Sequence, residues 1–250
     1  MRKTMGVAGS AESASKERAA LAEQRIIITI DGPAGTGKST MARLLAKRLG
    51  LEFLDTGAMY RAAALIAMEA GIGTDDGARL AEAVKRAGMR FEWGSDRPRL
   101  RISWPREIDV TDELRAPAIT SAASRVARLP ELRMVMVEAQ RAIGRAHPRL
   151  VTEGRDQGSV VFPDAQVKFY LDATPEVRAV RRADQLRRSG HHADADEIIR
   201  EILQRDQADM TRKDGPLIRP ADAIVLDTTE MTPEAVVEAL AREVRARVGS

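Results

Sequence analysis

The stretch with the most chemistry in it is GPAGTGKS, Gly32–Ser39, with Thr40 next in line. It fits the spacing G-x-x-x-x-G-K-[ST]: Gly32 and Gly37 frame Pro33, Ala34, Gly35 and Thr36, and Lys38 and Ser39 follow. Glycines so placed let successive backbone N–H groups curl around an anion, and a helix starting directly behind them adds partial positive charge at its N-terminus. Lys38 can then reach the β- and γ-phosphates of a nucleoside triphosphate, the Ser39 hydroxyl can ligate Mg²⁺, and Thr40 can bond the α-phosphate. The motif needs a strand before it and a helix after it, and RIIITID and KSTMARLLAKRL supply both. A turn that bound nothing would have no reason to set a lysine and two hydroxyls at the head of an apolar helix.

Three uses of a triphosphate compete. A GTPase-like switch needs a base-reading N-K-x-D, a string missing from the sequence. Motor ATPases carry an apolar strand ending in Asp-Glu, and the apolar strands here end otherwise. A kinase needs cationic side chains from several elements around a closed site, because phosphoryl transfer is mostly positioning and charge stabilisation. The arginines fit that need. Arg61 follows a short strand and turn in LDTGAMYR, and Arg155 follows RLVTEG directly. Arg178, Arg181 and Arg182 share one helical pattern, and Arg205 and Arg212 lie toward the end of the next. Ligands of an open α/β sheet bind at the carboxyl ends of strands, where Arg61 and Arg155 project. The guanidinium fork suits phosphate.

The elements that position these residues alternate. Apolar strands (RIIITID, LEFLD, RLVTEG, AQVKFYLD, DAIVLD) are separated by helical patterns (KSTMARLLAKRL, GAMYRAAALIAMEA, TPEVRAVRRADQLRR, TPEAVVEALAREVRARV). That rhythm predicts an α/β fold with a central parallel sheet covered on both faces. The segment MRFEWGSDRPRLRISWPREIDVTDELR breaks it with two or three short alternating stretches, which predict a small antiparallel insert. Helices follow through APAITSAASRVA and PELRMVMVEAQRAIGRAH. Residues 1–24 show little apolar patterning and are expected to form a mobile tail.

Composition removes other classes. The 250 residues include no cysteine, which excludes disulfides and thiolate chemistry and fits a reducing compartment. With three histidines, a His-based metal site is not expected. Aromatics make up 3% of residues, too few for a nucleic-acid stacking platform. Net charge is +3, from 40 Lys and Arg against 37 Asp and Glu. No apolar run approaches the ~20 residues of a membrane span, and the N-terminus lacks a secretory segment, so a cytoplasmic protein is expected.

Four stretches in order, IDGPAGTGKST, LDTGAMYR, EGRDQGSVVFPDAQVKFYLDA and RDQADMTRKDGPL, closely resemble the bacterial cytidylate kinases, the CMP/dCMP branch of the nucleoside monophosphate kinases. The resemblance runs from Ile26 onward and implies a single P-loop kinase domain over residues 25–250. Within it lie a monophosphate-binding region over 56–133, a β insert at about 89–110, and a helical lid over 178–212. It implies Mg²⁺ and ATP as phosphoryl donor, CMP or dCMP as acceptor, no nucleic-acid or membrane partner, and a monomer. By the same resemblance Arg61, Arg155 and Arg212 hold the phosphate of CMP, and Thr56 is a further substrate-binding residue. Ser124, Arg133 and Asp156 read the cytosine edge, and Arg205 and Asp209 face the ribose. A lid arginine, Arg181 before Arg178 or Arg182, neutralises the transferring phosphoryl group alongside Lys38 and Arg155. Asp55 or Glu153 orients Mg²⁺ through water or caps neighbouring backbone. Ser39 stands where some members carry glycine, which favours direct ligation of the metal. A UMP/CMP kinase of broader base tolerance and a non-catalytic nucleotide-binding switch are the alternative readings.

Overall fold

A computed structural model describes residues 25–94, 98–188, 190 and 192–248; the tail over residues 1–24 lies outside them. Strand β1 (Ile26–Asp31) is buried at every residue because both its faces are covered. Ile26, Ile28 and Ile30 pack with Met41, Leu45, Phe169 and Leu240, whereas Ile27 packs on the opposite face with Met59, Leu150 and Phe162. β1 pairs in parallel with β6 (Arg149–Gly154) and β7 (Val167–Asp172). With β2 (Glu52–Asp55) outside β6 and β8 (Ile224–Asp227) outside β7, the five-stranded parallel sheet has the order β2-β6-β1-β7-β8. The chain leaves β1 toward β2 on one side and leaves β6 toward β7 on the other. Such a divergence opens a crevice at the carboxyl ends of the two strands. Register sets Asp31 beside Gly154 and Asp55 beside Glu153, so three loops leave the sheet at one level.

Helix α1 (Lys38–Leu49) starts directly behind the glycine loop and lays Met41, Ala42, Leu45 and Ala46 on the sheet. It stops at Gly50, whose φ of 65° lets its N–H return to the Ala46 and Lys47 carbonyls. Asp55 caps α2 (Thr56–Glu69) by accepting from the Ala58 N–H at 2.8 Å. Next comes α3 (Gly77–Ala87), a helix that goes beyond the elements read from the sequence. The insert is the three-stranded antiparallel sheet β3 (Met89–Glu92), β4 (Arg99–Ser103) and β5 (Glu107–Asp109). Its inner face gives Phe91, Leu100 and Ile102 to the main core. On its outer face Arg101 is braced by Glu92 and Glu107. Two helices opened by proline, α4 (Pro117–Val126) and α5 (Pro130–Ala146), complete that half.

Beyond β7, α6 (Pro175–Arg188) and α7 (Ala195–Thr211) meet over a small core of their own, Ala179, Ala183, Ile198 and Ile202, separate from the two clusters on the sheet. Helix α8 (Pro233–Val248) returns to the sheet through Val236, Val237 and Leu240. Among the described residues no helix is long and apolar enough to cross a membrane.

Candidate functional site

The glycine loop leaves β1 tight against β7. At Gly32, with φ +148°, an added Cβ would lie 2.1 Å from the Leu171 carbonyl oxygen, so a side chain here would push the loop off the sheet. Lys38, the first residue of α1, is buried and folds back over the loop. Its Nζ donates to the Pro33 carbonyl at 2.6 Å and lies 3.3 Å from Thr36 Oγ1. Burial, and then the Arg155 charge, push the Lys38 pKa well below the ordinary lysine value. Ser39 and Thr40 are exposed on the same first turn, and the Ser39 hydroxyl donates to Glu153 Oε1 at 2.7 Å.

A second group of cations faces this loop. Arg155 steps off the end of β6, donating through Nε to Asp209 Oδ2 at 2.8 Å and through Nη1 to the Gly154 carbonyl at 3.1 Å. Arg61, one turn into α2, is held by Asp55 at 3.0 Å. Arg212 caps the C-terminus of α7, with Nε on the Gly215 carbonyl at 2.5 Å. Arg205 precedes it on α7; burial and the charges of Arg155 and Arg61 push its pKa down to about 10. Two buried nitrogens in the group, Arg61 Nε and Arg212 Nη2, have no hydrogen-bond partner. Buried donors are rarely left so, and the chemistry that satisfies guanidinium nitrogens among like charges is an anion. Asp209 is held below the usual carboxylate range: burial opposes its ionisation, but Arg155, Arg205 and Arg212 outweigh it.

Deeper in, Arg133 reaches from α5 to Asp156, the residue after Arg155, and both are buried. The pair is flanked by Arg212, 3.8 Å from Asp156 Oδ1, and by the Tyr60 hydroxyl, which accepts from Arg133 Nη1 at 3.2 Å. Burial pushes the Tyr60 pKa up to about 12, so it stays a neutral phenol. A fixed acceptor beside fixed donors suits the edge of one heterocyclic base. Ser124, expected in this set, sits half-buried on α4 with its hydroxyl turned to the Thr120 carbonyl of its own helix at 3.5 Å. Thr56 is buried and donates to the Glu153 carbonyl at 2.6 Å, tying α2 to β6.

Two residues packed into this group escape the sequence reading. Tyr60 stands next to Arg61 in a helical pattern where an aromatic reads as core. Asp31 ends a wholly buried strand, and its carboxylate accepts from the Gln157 N–H at 2.9 Å and the Gly158 N–H at 2.7 Å. It therefore pins the Arg155–Asp156 loop to the strand that launches the glycine loop. Burial pushes its pKa up to about 7 against those two bonds. An acidic residue closing an apolar run was the available signal.

The lid arginines separate. Arg181 donates to the Thr228 hydroxyl at 3.0 Å and the Thr228 carbonyl at 2.6 Å, beyond β8. Arg178 is buried beneath the glycine loop, on the Ala34 and Ala173 carbonyls. Arg182 lies near enough to Arg205 to depress its pKa and lines a cleft of about 580 Å³ opposite Asp112, Glu113 and Arg115. Its Nη1 donates to Gln185 Oε1 of its own helix at 3.1 Å, and of the three it alone adds its charge to the surroundings of Arg205.

The residues near Ser39 fit a hard divalent cation. Glu153 is buried beside Asp55, and burial and that second carboxylate push its pKa up, a tension a cation would relieve. Among the described residues no three His, Cys, Asp or Glu converge as a metal cage. Mg²⁺ needs none, since it takes one or two protein oxygens, substrate phosphates and water. Asp55 also caps α2 and holds Arg61, so both roles read for it from the sequence are compatible with its position.

Comparison with known proteins accords with this geometry. The cytidylate kinase family profile matches residues 28–246. The chain is 44% identical over 219 residues to the cytidylate kinase of Pelotomaculum thermopropionicum, covering 88% of this chain and 96% of that one. Against the cytidylate kinase of Nocardia farcinica it is 43% identical over 225 residues, 90% and 96% of the two chains. Against that of Corynebacterium efficiens it is 46% identical over 213 residues, 85% and 91%. Matches of this extent take in the glycine loop, the Arg155 loop, the insert, α6 and α7, and the chain belongs to the cytidylate kinase family.

Proposed function

We propose that the protein transfers the γ-phosphoryl group of ATP to CMP or dCMP, giving ADP and CDP or dCDP. The observation that carries this reading is the pair of buried guanidinium nitrogens on Arg61 and Arg212 without a hydrogen-bond partner, in a cationic group whose Arg155 leaves the strand beside the one that launches the glycine loop. An oxygen of the CMP phosphate attacks the γ-phosphorus as the bond to the β-phosphate oxygen of ADP breaks. The attacking oxygen is already ionised, so no general base is needed. What the reaction needs is two anions held together, with the charge neutralised as it shifts.

Gly32–Thr40 and Lys38 hold the triphosphate, and Arg61, Arg155 and Arg212 hold the acceptor phosphate. Arg205 and Asp209 address the ribose, and Arg133 and Asp156 address the cytosine, with Ser124 and Thr56 at the margins of that pocket. Arg182 is the lid arginine best placed to reach the transferring group; Arg181 would first have to release Thr228. Ser39, with Asp55 or Glu153 through water, would hold Mg²⁺, which would supply charge neutralisation on the triphosphate. Closure of α6 and α7 would exclude water, the competing acceptor.

A coupled assay of the purified protein with ATP and CMP, dCMP, UMP, AMP or GMP tests the reading. CMP and dCMP should be fastest. Faster turnover of AMP or GMP would overturn it, equal turnover of UMP would establish the broader pyrimidine enzyme, and ATP binding without transfer would establish the switch.

Lys38 adds a pH signature. In the free protein its pKa is depressed, and a bound triphosphate beside Nζ restores the charged form. Binding should therefore take up a proton between the depressed value and the ordinary lysine range, with uptake fading as pH falls below the depressed value and Lys38 charges unaided. Calorimetric titration of an ATP analogue at about pH 8.5, in buffers of different ionisation enthalpy, should show uptake in the wild type and none in Lys38→Met.

A further inference from the structure

One residue of the glycine loop, Ala34, is gripped at both its N–H and its carbonyl by charges buried in the helices beyond β7. The Ala34 N–H donates to Asp206 Oδ1 at 3.0 Å, and the Ala34 carbonyl accepts from Arg178 Nη1 at 2.9 Å. The same Nη1 pairs with the other oxygen of Asp206, while Arg178 Nε is fixed on the Ala173 carbonyl at 2.9 Å. Arg178 and Asp206 are 4% and 6% exposed. Gly35 lets the chain pass this close, for a Cβ there would lie 3.1 Å from Arg178 Cβ. A buried ion pair is a poor source of stability compared with apolar residues of the same volume. Here it reaches an N–H and a carbonyl of the very loop that receives the triphosphate.

Asp206 belongs to α7, and so do Arg205 and Asp209, with Arg212 as the cap. One helix therefore presents Asp206 to the donor loop and the other three residues to the acceptor group. The linkage runs through covalent helix geometry and two buried hydrogen bonds. A displacement of α7 on capture of an acceptor cannot leave Ala34 where it was without breaking them.

We propose that Arg178 and Asp206 are positioning residues that lock the donor loop to α7, so that CMP and ATP tighten each other's binding through the backbone of Ala34. This rests on the reading above that Arg205, Asp209 and Arg212 engage CMP. The coupling is reciprocal by thermodynamic necessity. Arg178 acts on the loop's backbone and not on the transferring phosphoryl group.

The test is calorimetric. Affinity for β,γ-imido-ATP is measured with and without saturating CMP, and affinity for CMP with and without the analogue. In the wild type each ligand should tighten the other about tenfold. Asp206→Asn keeps the size and an acceptor for the Ala34 N–H but loses the charge that orients Arg178. In it the mutual tightening should shrink to within about twofold while CMP alone binds within about twofold of the wild type. The double variant Arg178→Gln with Asp206→Asn removes the buried charge altogether and should lose the coupling equally, with a Tm near that of the wild type. Retention of coupling in either variant overturns the proposal, as does an equal loss of both affinities with coupling intact. Failure of both variants to fold would make the pair a stability element and overturn it too. Wild-type protein that binds both nucleotides without coupling sinks this proposal alone. Failure to bind CMP at all sinks the functional reading on which it rests.

Discussion

Arg155→Ala is expected to lower kcat/KM for CMP by at least ~100-fold, equivalent to ~2.7 kcal/mol of transition-state stabilisation. The side chain leaves the end of β6 directly after Gly154, the register partner of Asp31 at the root of the glycine loop. It is tied to Asp209 of α7, and its charge is felt at Lys38 on the donor side and at Arg205 on the acceptor side. A group in that position reduces repulsion between two anions before transfer and follows charge during it, so kcat should fall as well as KM rise. Lysine at the same position supplies a point charge without the fork and should restore part of the loss. The fold should survive, because Arg155 is half-buried and Asp209 keeps Arg212 nearby, 3.6 Å away. Steady-state kinetics with CMP varied at saturating ATP decide the matter, and near-normal activity would remove Arg155 from the site.

Asp156→Ala is expected to cost as much and to show itself in a different quantity. A carboxylate accepts from the exocyclic amine of cytosine, where uracil presents a carbonyl. Asp156 is buried between Arg133 and Arg212, so it holds its oxygens in place and both arginines in check. Without it, kcat/KM for CMP should fall by ~100-fold or more and the preference for CMP over UMP by at least ~10-fold, since a site built around one polar edge discriminates by leaving buried groups unpaired. Removal of the carboxylate also strands a buried Arg133, which lowers stability. The ratio of the two substrates is measured on the same folded molecules and is insensitive to that loss. An unchanged ratio would take base recognition away from Asp156.

The sheet and the donor loop were legible in the sequence because their signals are local. Apolar runs such as IIITI can be satisfied only by covering both faces, and GPAGTGKS carries its own strand and helix. The insert was legible as a break in rhythm, and its three strands fall within the span read for it. What resisted reading was direction. Arg178, Arg181 and Arg182 differ by one or a few positions on one helix, and a turn of 100° per residue sends them to the Ala34 carbonyl, Thr228 and the open cleft. Thr56 resisted for the same reason: a hydroxyl at a helix start can serve a ligand or a neighbouring strand, and only the packing of α2 on β6 turns it to the Glu153 carbonyl. The roles of Asp31 and Asp206 resisted reading because their partners include backbone groups 126 and 172 residues away.

The pairing of Asp31 with Gly154 has a metric consequence. The glycine loop and the Arg155 loop spring from one rung shared by two adjacent strands, and Asp31 staples the second loop to the strand that launches the first. Their separation is therefore inherited from the spacing of two hydrogen-bonded strands, ~4.8 Å, one of the least elastic lengths in a protein. Changes to the insert, α4 and α5, or a displacement of α6 and α7, would leave that length unaltered. The sheet serves as a ruler for the reaction, and the parts that choose the substrate hang from it.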